Sequence, residues 1–257
     1  MSPAAAGARL EVIEPDWPAP KTVRAAFTLR AGGVSAAPYD TLNVGAHVGD
    51  RPAAVEENRR RVGARLQLPA EPGWLEQVHG TDVAELDAAR GGGSRPPRTA
   101  DAAIARRPGS VCVMQVADCM PVLIAARDAS SVAAAHAGWR GLAAGVLEAT
   151  VARLGIAPAQ LIAWLGPAIG PRHFEVGPEV RAAFLAHDPG AAAAFSANAR
   201  GRWQCDLAAL ARARLAALGI AAVSGGHWCT YADRERFFSY RRDGQCGRMA
   251  ALIWLAR

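Results

Sequence analysis

The stretch Val111-Cys112-Val113-Met114-Gln115-Val116-Ala117-Asp118-Cys119-Met120-Pro121-Val122-Leu123-Ile124-Ala125-Ala126, with Ser131-Val132-Ala133-Ala134-Ala135-His136 soon after it, decides the fold class. Three apolar runs of strand length follow one another, broken only by short polar interruptions. Continuous apolar runs bounded by turn signals read as buried strands. No helical segment separates them, which contradicts a regular βαβ series. The chain therefore reads as α+β with a large mixed sheet.

Strand-like runs continue outward from this centre at Val23–Leu29, Trp74–Val78, Val83–Leu86, Ala102–Ala105 and Ala250–Leu255. Pro52–Leu66 reads as a helix with proline in its first turn. Leu142, Val146, Leu147, Val151 and Leu154 recur at helical spacing and stop at Gly155, a C-cap signal. Pro178–His187 is a shorter helix. Asp206 caps another that carries Leu207, Leu210, Leu215 and Leu218 and ends at Gly219. Gly91 to Pro97 is a flexible surface loop within one domain. Residues 1–22, rich in Ala and Pro, are expected to form a poorly structured arm, and 23–257 a single catalytic domain.

The chain has 257 residues, 51% hydrophobic and 20% charged, enough to bury a sizeable core. The N-terminal residues lack the apolar core of a secretory signal. No run of about 18 apolar residues marks a membrane span. A cytoplasmic monomer is expected. Five cysteines, an odd number with no C-x-x-C pair, argue against a disulfide framework and against a zinc ribbon. The net charge is +6, and among 29 basic residues Lys21 is the one lysine. Arginine's planar fork suits phosphate and carboxylate, but the arginines are scattered and no nucleic-acid motif accompanies them. A small anionic substrate is expected, with no nucleic-acid or membrane partner.

Chemistry concentrates at three residues. His79 lies in Gln77-Val78-His79-Gly80, Cys119 in Ala117-Asp118-Cys119, and His136 in His136-Ala137-Gly138-Trp139-Arg140-Gly141. One cysteine and two histidines have the ligand types of a catalytic zinc, which keeps its fourth position open. Each residue alone reads more simply as a small buried hydrophobe or a surface histidine. Their place at strand ends beside glycines favours a site. A thiol–imidazole pair of Cys119 and His136 is the rival chemistry, but it leaves His79 without a task. The H-x-E and C-x-x-C halves of a cytidine-type deaminase are both missing. Cys112, inside an apolar strand, is expected to be inert core.

Further segments complete a family resemblance: Thr28-Leu29-Arg30-Ala31-Gly32-Gly33-Val34-Ser35, Leu42-Asn43-Val44-Gly45, Val48-Gly49-Asp50 and Glu57-Asn58-Arg59. Gly166-Pro167-Ala168-Ile169-Gly170, Phe237-Phe238-Ser239-Tyr240-Arg241 and Gly247-Arg248 follow in the same order. With the three ligand segments, these resemble the laccase-domain, or polyphenol oxidase-like, family, described as zinc-dependent purine nucleoside phosphorylases and also as peptidoglycan editing factors. The resemblance runs from about residue 24 to the C-terminus. It implies a single-domain layered α/β/β/α sandwich with large mixed β-sheets. A multicopper laccase proper is rejected, because six histidines with no H-x-H pair fall short of the imidazoles it needs.

The resemblance implies phosphorolysis of adenosine, inosine and methylthioadenosine, with adenosine deamination as a companion reaction. Zinc, or copper in its place, is expected on His79, Cys119 and His136, which serve as both metal and catalytic residues. Arg30, Arg140 and Arg241 are candidate phosphate or substrate contacts, and Asn43 a candidate contact to ribose or base. Asp118 and Gln77 are further substrate-side candidates, with ligand orientation as their alternative role. Phe237-Phe238-Ser239-Tyr240 reads as a strand with alternating faces. The alternative function is editing of cell-wall precursors, as a hydrolase using zinc or Cys119/His136 thiol chemistry, or as a non-catalytic accessory protein.

Overall fold

The Val111–Val116 strand pairs antiparallel with the C-terminal Met249–Leu255 strand. That strand pairs in turn with Val23–Thr28, and Val12–Ile13 completes a four-stranded sheet at its edge. Met120–Ala126 belongs to a different sheet. It lies between Leu161–Leu165 and Val132–Ala137, and Ala222–Gly225, Ala102–Ala105 and Val83–Glu85 extend this sheet to six strands. The chain thus changes sheets at Ala117-Asp118-Cys119. These relations come from a computed structural model that describes residues 10–87 and 97–256.

The two sheets stack face to face. Phe27, Met114 and Ile253 of the first share one core with Leu123, Ala134 and Trp164 of the second. Every residue of Val111–Val116, Met120–Ala126 and Val132–Ala137 is buried, as strands covered on both faces require. On the outer face of the six-stranded sheet, Ile104, Val122, Ile124 and Leu165 pack against Leu142, Leu147, Leu210 and Phe184 of the covering helices. On the outer face of the four-stranded sheet, Val113 and Leu252 meet Val62 of the Pro52–Leu66 helix. The layer order is therefore α/β/β/α within a single mixed domain, as expected. Each fully buried Leu, Ile or Phe contributes about 1.5–3 kcal/mol to holding these layers together.

Several local expectations need correction. The segment Leu142–Leu154 is two helices, Trp139–Ala144 and Val146–Leu154, because Gly145 adopts φ 99° and ends the first. Trp74–Val78 contributes only the short strand Leu75–Glu76. Pro178–His187 is helical over Pro178–Leu185. Ser239 accepts from the Arg242 N–H and caps a short helix, Tyr240–Asp243, so Phe237 to Tyr240 is not a strand. The poorly structured arm does not extend to residue 22: Leu10 is buried in the core, and Val12–Ile13 pairs with Val23–Thr28. An apolar Leu-x-Val-Ile stretch finds an open sheet edge there. Residues 1–9 and most of the Gly91–Pro97 loop lie outside the described residues. No helix among the described residues is long and apolar enough to cross a membrane.

Candidate active site

Antiparallel pairing in register Pro121 with His136 sets the start of Met120–Ala126 beside the end of Val132–Ala137. Cys119 and His136 thereby become neighbours. On the other side of Val132–Ala137, Ala102 pairs with Ala135, so Asp101 stands by His136 and its carbonyl accepts the His136 N–H at 2.7 Å. His79 comes from the loop before Val83–Glu85. The Asp101 carboxylate gathers that loop by accepting the backbone N–H groups of Val78 (3.0 Å), His79 (2.9 Å) and Gly80 (2.6 Å).

Asp101 Oδ1 also lies 2.8 Å from His136 Nδ1, which leaves Nε2 as the uncommitted nitrogen of that ring. The His79 and His136 rings meet edge to face with centroids 4.8 Å apart. Cys119 Sγ is 3.7 Å from His79 Nε2. One donor atom from each of the three residues lies within 4.8 Å of the other two, the one such His/Cys/Asp/Glu group found among the described residues. A thiol and two imidazoles, with a carboxylate behind one imidazole, fit the donor set and the supporting partner of a catalytic zinc site. This donor cluster and the family both point to metal binding.

The backbone is bent to make this arrangement. His79 has φ 62° and Asp118 φ 88°, two of the four described non-glycine residues with positive φ. Such conformations persist only where the surroundings impose them. Gly138 is needed for space, since a Cβ there would sit 2.8 Å from Cys119 Sγ and 3.0 Å from His79 Cδ2.

The charges are coupled. Burial disfavours protonated His136, but the Cys119 thiolate and the Asp101 carboxylate outweigh it and raise its pKa to about 9. Burial likewise disfavours the Cys119 thiolate, yet the His136 charge and the hydrogen bonds to both imidazoles bring its pKa down to about 6. Asp101 is held below the usual carboxylate range: burial opposes this, and the His136 and backbone hydrogen bonds prevail. Cys112, on the neighbouring strand, is fully buried with no such partner, and burial pushes its thiol far up.

The three donors line a cavity of about 460 Å³ whose walls include Trp139, Ile169, Phe174 and Leu207. Arg140 and Arg241 face this cavity, stacked on Trp139 and Phe174 at 4.5 and 5.3 Å. Gln77 and Asp118 line it too, but their polar atoms are spent. The Gln77 side chain pairs with the backbone N–H and C=O of Gln115. Asp118 accepts from Thr230 Oγ1, Ser239 Oγ and the Arg241 N–H, tying the ligand turn to the Tyr240–Asp243 helix.

Two expected contacts do not line this cavity. Arg30 is bound to Asp40 and to the carbonyls of Asp40 and Arg234. Asn43 is wholly buried and holds the backbone of Gly45 and Arg248. Sequence reasoning overlooked Asp101, His47 and Arg248. An acid immediately before the apolar strand Ala102–Ala105 was the available signal for Asp101. Gly247-Arg248 is one of the family-like motifs, and sequence alone gives it no role.

The chain matches, over residues 24–256, the family described as multi-copper polyphenol oxidoreductase laccase. A Pseudomonas aeruginosa protein named purine nucleoside phosphorylase is 55% identical, covering 95% of this chain and 98% of that relative. Escherichia coli purine nucleoside phosphorylase YfiH is 54% identical over 95% of this chain and 99% of its own length. The crystal structure of a Neisseria meningitidis protein superposes with a TM-score of 0.91 at 46% identity, covering 96% of this chain and 99% of that one. YlmD from Geobacillus stearothermophilus gives 0.85 at 32% identity over 92% and 93% of the two chains. Sequence and fold agree over nearly the whole length, and the chain belongs to this laccase-domain family, whose curated relatives are named purine nucleoside phosphorylases.

Proposed function

We propose that this protein is a zinc-dependent purine nucleoside phosphorylase acting on adenosine, inosine and methylthioadenosine, with adenosine deamination as a second reaction of the same site. One observation carries the reading: His79, Cys119 and His136 converge in the wall of a nucleoside-sized cavity that also presents aromatic faces and arginines. The names of the relatives point to the same reaction. His79, Cys119 and His136 hold the metal, with copper as the alternative ion for a thiolate–imidazole set. When bound, zinc supplies Lewis-acid polarisation and lowers the pKa of water.

The residues of the chain do the rest. Trp139, partly exposed, offers a flat apolar face on which a purine stacks. A phosphate oxygen attacks C1′ of the ribose as the C1′–N9 bond breaks, and the electron pair leaves with the base. The phosphate hydroxyl proton ends on the purine, so the products are the neutral base and ribose 1-phosphate, or methylthioribose 1-phosphate from methylthioadenosine. Arg140 and Arg241 are placed to stabilise negative charge gathering on the base. Asp101 fixes the orientation of His136 through Nδ1. The protein works as a cytoplasmic monomer on small molecules, without a nucleic-acid or membrane partner.

Purified, metal-loaded protein incubated with inosine or adenosine should release base and ribose 1-phosphate at a rate that rises and saturates with phosphate. A second reading, hydrolytic editing of cell-wall precursors by Cys119 and His136, draws on the closeness of thiol and imidazole. The same preparation given a mispaired muropeptide precursor separates the two. Product from the precursor alone, with none from the nucleosides, reverses the order of these readings.

A further inference from the structure

Much of the arginine complement is neutralised locally. Arg106 pairs with Glu85, Arg214 with Glu148 and Arg242 with Asp243. Among the described residues, no salt bridge involves Arg140, Arg241 or Arg248, the three arginines that face the cavity. Guanidinium groups left without carboxylates around one cavity call for an anion from outside.

The three are not equivalent. Arg140 and Arg241 are exposed and ride on aromatic rings. Arg248 lies farther from its ring, 5.9 Å from that of Tyr240, and it is half-buried and built in from behind. Its N–H donates to Asn43 Oδ1 at 2.9 Å, and its carbonyl accepts from the Val44 N–H at 3.1 Å. The same Asn43 oxygen accepts the Gly45 N–H at 2.9 Å, fixing the loop that leads to His47. Gly45 itself clears the way: a Cβ there would lie 2.7 Å from Arg248 Cγ. At the guanidinium Nη1 is engaged with the carbonyls of Cys246 and Gly247 and with Cys246 Sγ, and among the described residues Nη2 and Nε make no hydrogen bond.

His47 faces the same cavity. Burial and the positive charges of Arg248, Arg59 and His136 hold its pKa below the ordinary value. Arg59 stands behind this loop, donating to the Val44 carbonyl at 3.0 Å and stacked 3.9 Å over Trp74. A buried network thus delivers one fixed fork and one imidazole to a positive corner of the cavity, and preorganised donors of this kind bind oxyanions best.

We propose that Arg248 and His47, on the loops that Asn43 joins, form the subsite for the inorganic phosphate co-substrate, leaving Arg140 and Arg241 to the nucleoside. This rests on the phosphorylase reading above.

The test uses the full-length, zinc-loaded protein in two assays. Base release is measured against phosphate at saturating inosine, and inorganic phosphate is titrated calorimetrically without nucleoside. Arg248→Gln should raise the phosphate KM at least about tenfold and weaken calorimetric binding in parallel, a loss typical of one charge-assisted fork. Its inosine KM and zinc content should stay within about twofold of wild type. Arg248→Lys should fall between, and it serves as the measured variant if the glutamine form does not fold. Arg140→Gln and Arg241→Gln should move the inosine KM instead. A wild-type phosphate KM and wild-type phosphate heat in both Arg248 variants overturns the subsite while leaving the phosphorylase reading intact. If the wild-type protein shows no phosphate-dependent base release, that reading falls before any variant is compared, and the subsite falls with it.

Discussion

The wall that carries His79, Cys119 and His136 and the wall that carries His47 and Arg248 face one cavity, yet different buried groups hold them. Asp101 pins the first. It is completely buried, charged, and accepts three backbone N–H groups besides the His136 bond. Asn43 pins the second. It is just as buried but neutral, accepts the Gly45 and Arg248 N–H groups, and donates to Asp50 at 2.9 Å. Both side chains tie two distant segments together through one acceptor. They differ where the field matters. A carboxylate behind the imidazoles favours a cation in front of them. A carboxylate at Asn43 would offset the guanidinium field on which the proposed phosphate subsite depends. The same mechanical task is therefore given to a charge on one wall and to an amide on the other.

The most severe way to break this comparison is to remove a donor from the first wall. Cys119→Ala should empty the metal site and lower turnover at least about 10³-fold, the several kcal/mol a metal contributes to charge stabilisation. Its melting temperature should change little, because Cys119 is half-buried and sits at the edge of the inter-sheet core. Cys112→Ala should do the reverse, costing about 1 kcal/mol of stability through a small cavity while sparing turnover. Equal kinetic losses in the two variants, compared at matched folded fraction, would contradict the division.

The charge of that wall can be read directly in metal-free protein. With a pKa of about 6, Cys119 is mostly thiolate at pH 7, whereas an unperturbed thiol near 9 is ionised to roughly one part in a hundred. Alkylation of Cys119 should therefore accelerate as pH rises through about 6 and level off above neutrality. At pH 7, His136→Ala should slow it by at least about tenfold, since the positive imidazole is what holds the thiol down. A rate that keeps climbing to pH 9 in the unsubstituted chain would show that no such pairing exists.

Asp101→Asn addresses the pin itself. The amide places an N–H₂ where one oxygen received backbone N–H groups, and it withdraws the charge behind His136. Zinc affinity, measured by competition with a chromophoric chelator, should fall about 10–100-fold. The phosphate KM should remain near wild type, because the second wall has its own pin. Loss of phosphate affinity with unchanged zinc affinity would show that the two walls had been assigned the wrong way round.

Legibility in the sequence follows the same line. The strands around Val111–Val116 and Met120–Ala126 could be read because burial on both faces leaves nothing but apolar residues. His79, Cys119 and His136 could be picked out as chemically soft residues at strand ends, and the family resemblance implied that they share one metal. Their mutual distances could not, since they depend on the register of Pro121 with His136 and on the Asp101 bonds to the His79 loop. Arg30 and Arg248 look alike in sequence, each within a glycine-bearing motif. Only tertiary pairing separates them: Arg30 finds Asp40, and Arg248 finds no carboxylate among the described residues. Asn43 reads as a ligand contact because an amide's hydrogen-bonding capacity is visible in sequence, whereas the direction in which it is spent is not.

The smallest expected effect is also the sharpest test of the difference between the pins. Asn43→Ala removes the acceptor for the Gly45 and Arg248 N–H groups and the donor to Asp50, all in the interior. Leaving buried backbone donors unsatisfied should lower stability by about 1–3 kcal/mol, readable as a drop in melting temperature. The guanidinium of Arg248 survives the change, so phosphate binding should weaken rather than vanish. Loss of preorganisation worth about 1 kcal/mol raises the phosphate KM roughly fivefold. Zinc affinity and Cys119 alkylation should not move, because neither Asp101 nor His136 touches Asn43. A destabilising change elsewhere supplies the control: Cys112→Ala lowers the melting temperature without altering the phosphate KM. If Asn43→Ala behaves like Cys112→Ala, the asparagine is only a fold element. If it raises the phosphate KM selectively, the arginine wall is held in place by a neutral pin as the ligand wall is by a charged one.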